Sequence, residues 1–193
     1  MARAKSDPVA TESFDDVYFR YRHAVRTCKE CPAREKLSNS EVPSPCDAPM
    51  YEGQNVRALI LTPKPDLYGT AKTKLEEWLA TVGLTVGYDA VLSAAVRCPY
   101  PGDSRWSEKF AQACMRFLKA EIALFAPELL VTFGVMPARL LTGRSVHDYH
   151  GRVEPFGSGH IFCTFHPGQA GMSPKVSNAL YADAEVLRRW LAE

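Results

Sequence analysis

Between residues 57 and 166 the chain alternates short apolar runs with longer stretches whose apolar residues recur every three or four positions. The runs are RALILTP (57–63), DAVLSAAVRC (89–98), ELLVTFG (128–134) and HIFCTFH (160–166). Each is short and carries apolar residues at both odd and even positions. That pattern predicts strands buried on both faces. The stretches between them predict helices. AKTKLEEWLATVGL (71–84) puts Leu75, Trp78, Leu79 and Val82 on one face, with Gly83 near its end. SEKFAQACMRFLKAEIALFAP (107–127) has Ser107 as candidate N-cap, an apolar side of Phe110, Cys114, Phe117, Leu118 and Ile122, and Pro127 as its stop. VMPARLLTG (135–143) predicts a short helix and VSNALYADAEVLRRWL (176–191) a closing one. Upstream, Phe14, Val17, Tyr18, Tyr21 and Val25 mark an aromatic-rich amphipathic helix. Strands alternating with helices imply a parallel sheet covered on both faces, with ligands at the carboxyl ends of its strands.

Residues 28–56 break this regularity. They are rich in Pro, Ser and Cys, follow neither period, and predict an irregular loop long enough to need an external tie. Residues 1–12 are polar and are expected to be flexible. With 193 residues, no internal repeat and no composition boundary, residues 1–193 are expected to form a single domain.

A net charge of +1 gives no global basic field, so any nucleic-acid contact must come from a local groove. No signal-peptide pattern and no apolar run near 18 residues occurs, which predicts an intracellular, cytoplasmic chain with no membrane partner. The six cysteines then gain meaning, because reduced intracellular thiols favour ligation over disulfides. Cys28 and Cys31 form a C-x2-C pair in the irregular loop, Cys98 ends the second strand, and Cys114 follows after fifteen intervening residues. Four thiolates suit zinc or an iron–sulfur cluster. The alternative is a loop pair plus two core cysteines. Cys163 alternates into a strand as core, and Cys46 competes for a place in the quartet.

The ordered combination of C-x2-C, AAVRCPYPGD, a further Cys, PELLVTFG and a final FHPG resembles the iron–sulfur (family 4-like) branch of the uracil-DNA glycosylases, from about Cys28 to Leu187. The resemblance implies a three-layer αβα sandwich around a central four-stranded parallel sheet. It also implies a [4Fe–4S] cluster on Cys28, Cys31, Cys98 and Cys114, with zinc as the competing metal. The partner is DNA, from which a base is flipped so that its N-glycosidic bond can be cut. A monomer is expected, and no diffusible cofactor is signalled. In TFHPGQAGM (164–172), the resemblance makes His166 the group that stabilises charge on the departing pyrimidine, and it places Pro167, Gly168, Gln169 and Met172 against DNA. Met172 or the Gln169–Gly171 backbone would fill the vacated stack.

The departures from that family bear on substrate. Its Gly-Glu-Ala-Pro-Gly motif falls on Thr62, Pro63, Lys64, Pro65 and Asp66, so Pro63 stands at the carboxylate position and Asp66 is the nearest acid. Its base-reading Asn falls on Ala94, whose methyl offers neither donor nor acceptor. Leu67 lies near its stacking Phe, and Tyr68 beside it is either a base-stacking ring or an ordinary core aromatic. Two explanations fit: a pocket opened for a modified or bulky pyrimidine, or a catalytically inactive module that binds DNA or protein. Arg97, Arg105, Lys109, Arg116 and Lys119 form either a phosphate-binding edge or a solvated helix face. His150 reads as structural.

Overall fold

The computed structural model describes residues 12–32, 34, 56–65, 69–98 and 104–193. Its elements are α1 (Phe14–Arg26), β1 (Ala58–Thr62), α2 (Thr70–Thr81), β2 (Ala90–Ala94), α3 (Ser104–Phe125), β3 (Leu129–Phe133), α4 (Val135–Thr142), α5 (Val146–Tyr149), β4 (Val153–Phe156), β5 (Gly159–Thr164), a 3-10 turn (Pro167–Met172) and α6 (Pro174–Leu191). The fold is α/β, with helices on both faces of the sheet, as the alternation predicts.

Among the described residues the sheet has five strands, in the order β2-β1-β3-β5-β4, rather than four. The four apolar runs are the parallel strands, and β4 is an added antiparallel edge. VEPF escapes an apolar-run search because it contains Glu and Pro, and an edge position is where a strand tolerates Pro155. Gly157, at φ +60°, makes the turn into β5. Helix α3 also starts at Ser104, ahead of the candidate cap Ser107.

Helices α2 and α6 pack together over one face. Trp78 of α2 donates from Nε1 to the Leu180 carbonyl of α6 at 3.0 Å and sets its ring edge-on to Phe133 of β3, 5.2 Å away. Helices α1 and α3 cover β2 from the other side through a buried polar knot. Glu121 of α3 is fully buried and accepts from Tyr21 of α1, from Ser93 Oγ of β2 at 2.7 Å, and from Arg97 Nη2 at 2.6 Å. A buried charge pair is stable only while both partners remain. Glu121→Ala, which leaves the Arg97 cation without its carboxylate, is therefore expected to lower folding stability by about 3–5 kcal/mol in chemical denaturation. Arg97 is thus a core residue and no part of a phosphate-binding edge.

Candidate active site at the carboxyl edge of the sheet

Four strand ends converge on one edge. β1 runs into Pro63, β2 ends on Ala94, β3 runs into Gly134, and β5 leads through Phe165 to His166. The β1–β2 alignment continues past the strands, since Ala95 N–H donates to Thr62 O at 2.8 Å and Val96 N–H to Pro63 O at 3.1 Å. The single Thr62 hydroxyl proton is shared between the Lys64 carbonyl at 3.2 Å and the Ser93 carbonyl at 3.1 Å, which pins the loop start. Ala94 is buried at the end of β2. Gly134 has φ +92°, and a Cβ built there would lie 3.9 Å from Pro63 Cγ and 4.0 Å from His166 Cβ. This glycine therefore separates Pro63 from His166, with both close at hand. Sequence reading missed Gly134, although a glycine directly after a parallel strand is a signal for close approach at this edge.

His166 is held in one orientation. Its Nδ1 accepts the Gly168 N–H at 3.0 Å, its carbonyl accepts the Gln169 N–H at 2.8 Å, and its ring stands edge-on to Phe133 at 6.3 Å. Acceptance at Nδ1 requires the tautomer with its proton on Nε2, so Nε2–H is the group this imidazole offers. Burial lowers the His166 pKa from 6.5 by disfavouring the charged ring. The sign follows: the folded state binds this proton less readily than the unfolded chain. The stability tied to the neutral ring is complete above 6.5 and is lost as pH falls through the lowered value. An NMR titration of the His166 ring is expected to give a midpoint below 6.5.

A Cβ on Gly168 would lie 3.0 Å from His166 Nδ1, tighter than an ordinary contact, so a side chain there would push on the ring. Pro167 is buried and backs the 3-10 turn, while Gly168, Gln169 and Gly171 are exposed on it. Behind the turn, a cavity of about 500 Å³ lies between α2 and α6. It shares Pro167 and Ala170 with the turn but is lined by none of Pro63, Ala94 or His166, so it is separate from this edge. Asp66, Leu67, Tyr68 and Cys46, and the side chains of Arg105 and Met172, lie outside the described residues.

The four candidate ligand cysteines share one neighbourhood. Burial pushes the Cys98 thiol up to about 12, and Cys114, Cys31 and Cys28 each add to the shift. Burial also raises the Cys114 thiol, opposed by a hydrogen bond from the Arg97 backbone and by its charge. Arg116 donates from Nη2 to Cys28 Sγ at 3.2 Å and pairs with Glu30, so it serves the cysteine loop. Lys109 and Lys119 are exposed on α3. All four are free thiols, two half-buried and two buried. Such a soft donor set fits a tetrathiolate centre in its chemistry. Among the described residues, no group of three or more His, Cys, Asp or Glu side chains is arranged to hold a metal ion. Cys163 is buried core, as its place in the strand predicts.

Among the described residues, no helix is long and apolar enough to cross a membrane. No curated protein matches the chain. The family model for the uracil DNA glycosylase superfamily matches residues 50–186. The match covers all five strands, the Pro63–Gly134–His166 edge, and Cys98 and Cys114, and it starts beyond Cys28 and Cys31. A doubly covered, mostly parallel sheet with a histidine turn at its carboxyl edge agrees with that match, and the chain belongs to the uracil DNA glycosylase superfamily.

Proposed function

We propose that the protein is a DNA N-glycosylase that receives a flipped, modified or bulky pyrimidine at the carboxyl edge of its sheet and hydrolyses its N-glycosidic bond. The observation that carries this reading is the orientation of the His166 ring, whose Nδ1 accepts from Gly168 N–H and leaves Nε2–H to donate. As the C1′–N1 bond breaks, its electron pair enters the pyrimidine ring and charge builds on O2. A donor fixed in advance at that oxygen stabilises the transition state more than the ground state. Water supplies the new bond to C1′ and gives up a proton, and the departing base takes a proton from solvent. Asp66 is our candidate acceptor for the proton from water.

The substrate preference rests on Ala94 and Pro63. An Asn at position 94 would present both a donor and an acceptor to a pyrimidine edge, whereas an alanine presents neither and leaves volume. Pro63 brings no carboxylate. A pyrimidine carrying an electron-withdrawing or bulky substituent suits such a site: it is a better leaving group and fills the space. We further propose that Cys28, Cys31, Cys98 and Cys114 hold a [4Fe–4S] cluster that staples the irregular loop to the strand–helix junction. The cluster would take no part in the bond cleavage. Their shared neighbourhood and the Arg97 and Arg116 hydrogen bonds to sulfur support the assignment.

The test exposes purified protein to single- and double-stranded DNAs carrying uracil, hydroxymethylated or glycosylated pyrimidines, then cleaves at abasic sites. Breaks at a modified pyrimidine in excess of uracil are the expected result. Ala94→Asn is expected to shift preference toward uracil and against bulky bases. An unchanged profile would mean that Ala94 does not line the pocket. Binding to all substrates without breaks would leave a DNA-binding module.

A further inference from the structure

A second polar cluster lies at the end of β5, two residues before His166. Asp183, in the middle of α6, is only 2% exposed. Its Oδ2 accepts from Thr164 Oγ1 at 2.6 Å, and its carboxylate faces His150 Nδ1 at 2.9 and 3.1 Å. The fold makes space for this carboxylate: a Cβ on Gly151 would lie 2.5 Å from Asp183 Oδ1, at a φ of +72° that favours glycine in any case. Gly151 N–H in turn donates to the Cys163 carbonyl at 3.0 Å, and the His150 ring lies 4.9 Å from that of Phe165.

Thr164 is therefore gripped twice. Its hydroxyl binds Asp183, and its carbonyl accepts the N–H of Gly134 at 2.8 Å, the residue that separates Pro63 from His166. Two residues later comes His166. Helix α6 also packs against the 3-10 turn that fixes the His166 ring. One helix thus grips the strand end through Asp183 and supports the turn beyond it. The geometry points to Asp183 as a positioning residue for His166: its bond to Thr164 sets where the imidazole stands over the sheet edge. The proposal rests on the glycosylase reading only for its effect on rate. The placement of the ring is testable without DNA.

Asp183→Ala and Thr164→Val are the variants. The second is nearly isosteric and removes only the hydroxyl, so it serves if the first does not fold. Two readouts are taken: the His166 ring 15N and 1H signals in the free protein, and single-turnover base release with a parallel DNA-binding titration. The expected result is that both variants shift the His166 signals and slow base release by roughly 10–100-fold, the scale of a displaced catalytic group, with DNA affinity little changed. Asp183→Asn, which keeps an oxygen to accept from Thr164, is expected to restore most of the rate. A lower melting temperature with unchanged His166 signals and unchanged release would overturn the proposal, leaving Asp183 a purely structural residue. If the wild type releases no base from any DNA, the glycosylase reading fails, and shifted His166 signals in the variants still support the positioning role.

Discussion

Replacing His166 with alanine is expected to slow base release by about 10²–10³-fold, the usual cost of one lost transition-state donor, while DNA affinity changes little. The split follows from where the atoms lie. The ring is half-buried behind the turn with Nδ1 already bonded to Gly168, so it offers only Nε2–H to a substrate. Gly168, Gln169 and Gly171 are exposed on the turn and are unchanged in sequence in the variant. His166→Gln, which keeps a donor of similar reach, is expected to retain more activity than alanine. Single-turnover excision with a binding titration separates the two effects. Equal losses of binding in the alanine variant, with no change in the excision step, would make His166 part of a DNA grip.

Removing one of the four proposed cluster ligands is expected to have the largest effect on stability. Cys28→Ala, Cys31→Ala, Cys98→Ala and Cys114→Ala should each remove the brown colour and destabilise the protein by more than about 4 kcal/mol, the range typical of a lost metal centre. The stretch that carries Cys28 and Cys31 follows no secondary-structure period, and the proposed cluster would be its tie to the α3 side. Cys163→Ala is the control: the residue is buried in β5 and should cost only a core cavity, with colour retained. Iron and sulfide assay of anaerobically purified protein checks the assignment. Colourless, fully folded wild type would refute iron, and one bound zinc would keep the quartet but change the metal. If Cys46→Ala bleaches the protein and Cys31→Ala does not, the ligand set is wrong.

The parallel core was legible because its strands are buried on both faces and so stand out as apolar runs. Leu59, Val91, Val131 and Phe162 are all fully buried. β4 was not legible, because an edge strand has one partner and tolerates Glu154 and Pro155. The position of His166 at the sheet's carboxyl edge also followed from strand order. Its tautomer did not, since that depends on a backbone N–H two residues away. Asp183 left a trace that was overlooked: it occupies a core position of α6 between Leu180 and Leu187, both buried. An acid on the buried face of a helix signals a partner in the fold. Arg97 misled for the opposite reason, because its charge suggested surface while Glu121, its partner, lies on another element.

The most direct test of the account is chemical. Wild-type protein and DNA containing one modified pyrimidine are incubated in stoichiometric amounts, and the free base and the abasic strand are both quantified by mass spectrometry. A glycosylase releases the two together in equal amounts, at a rate that His166→Ala is expected to reduce. Recovery of intact DNA from a stable complex, with neither free base nor abasic strand formed on any of the pyrimidines, would contradict this reading.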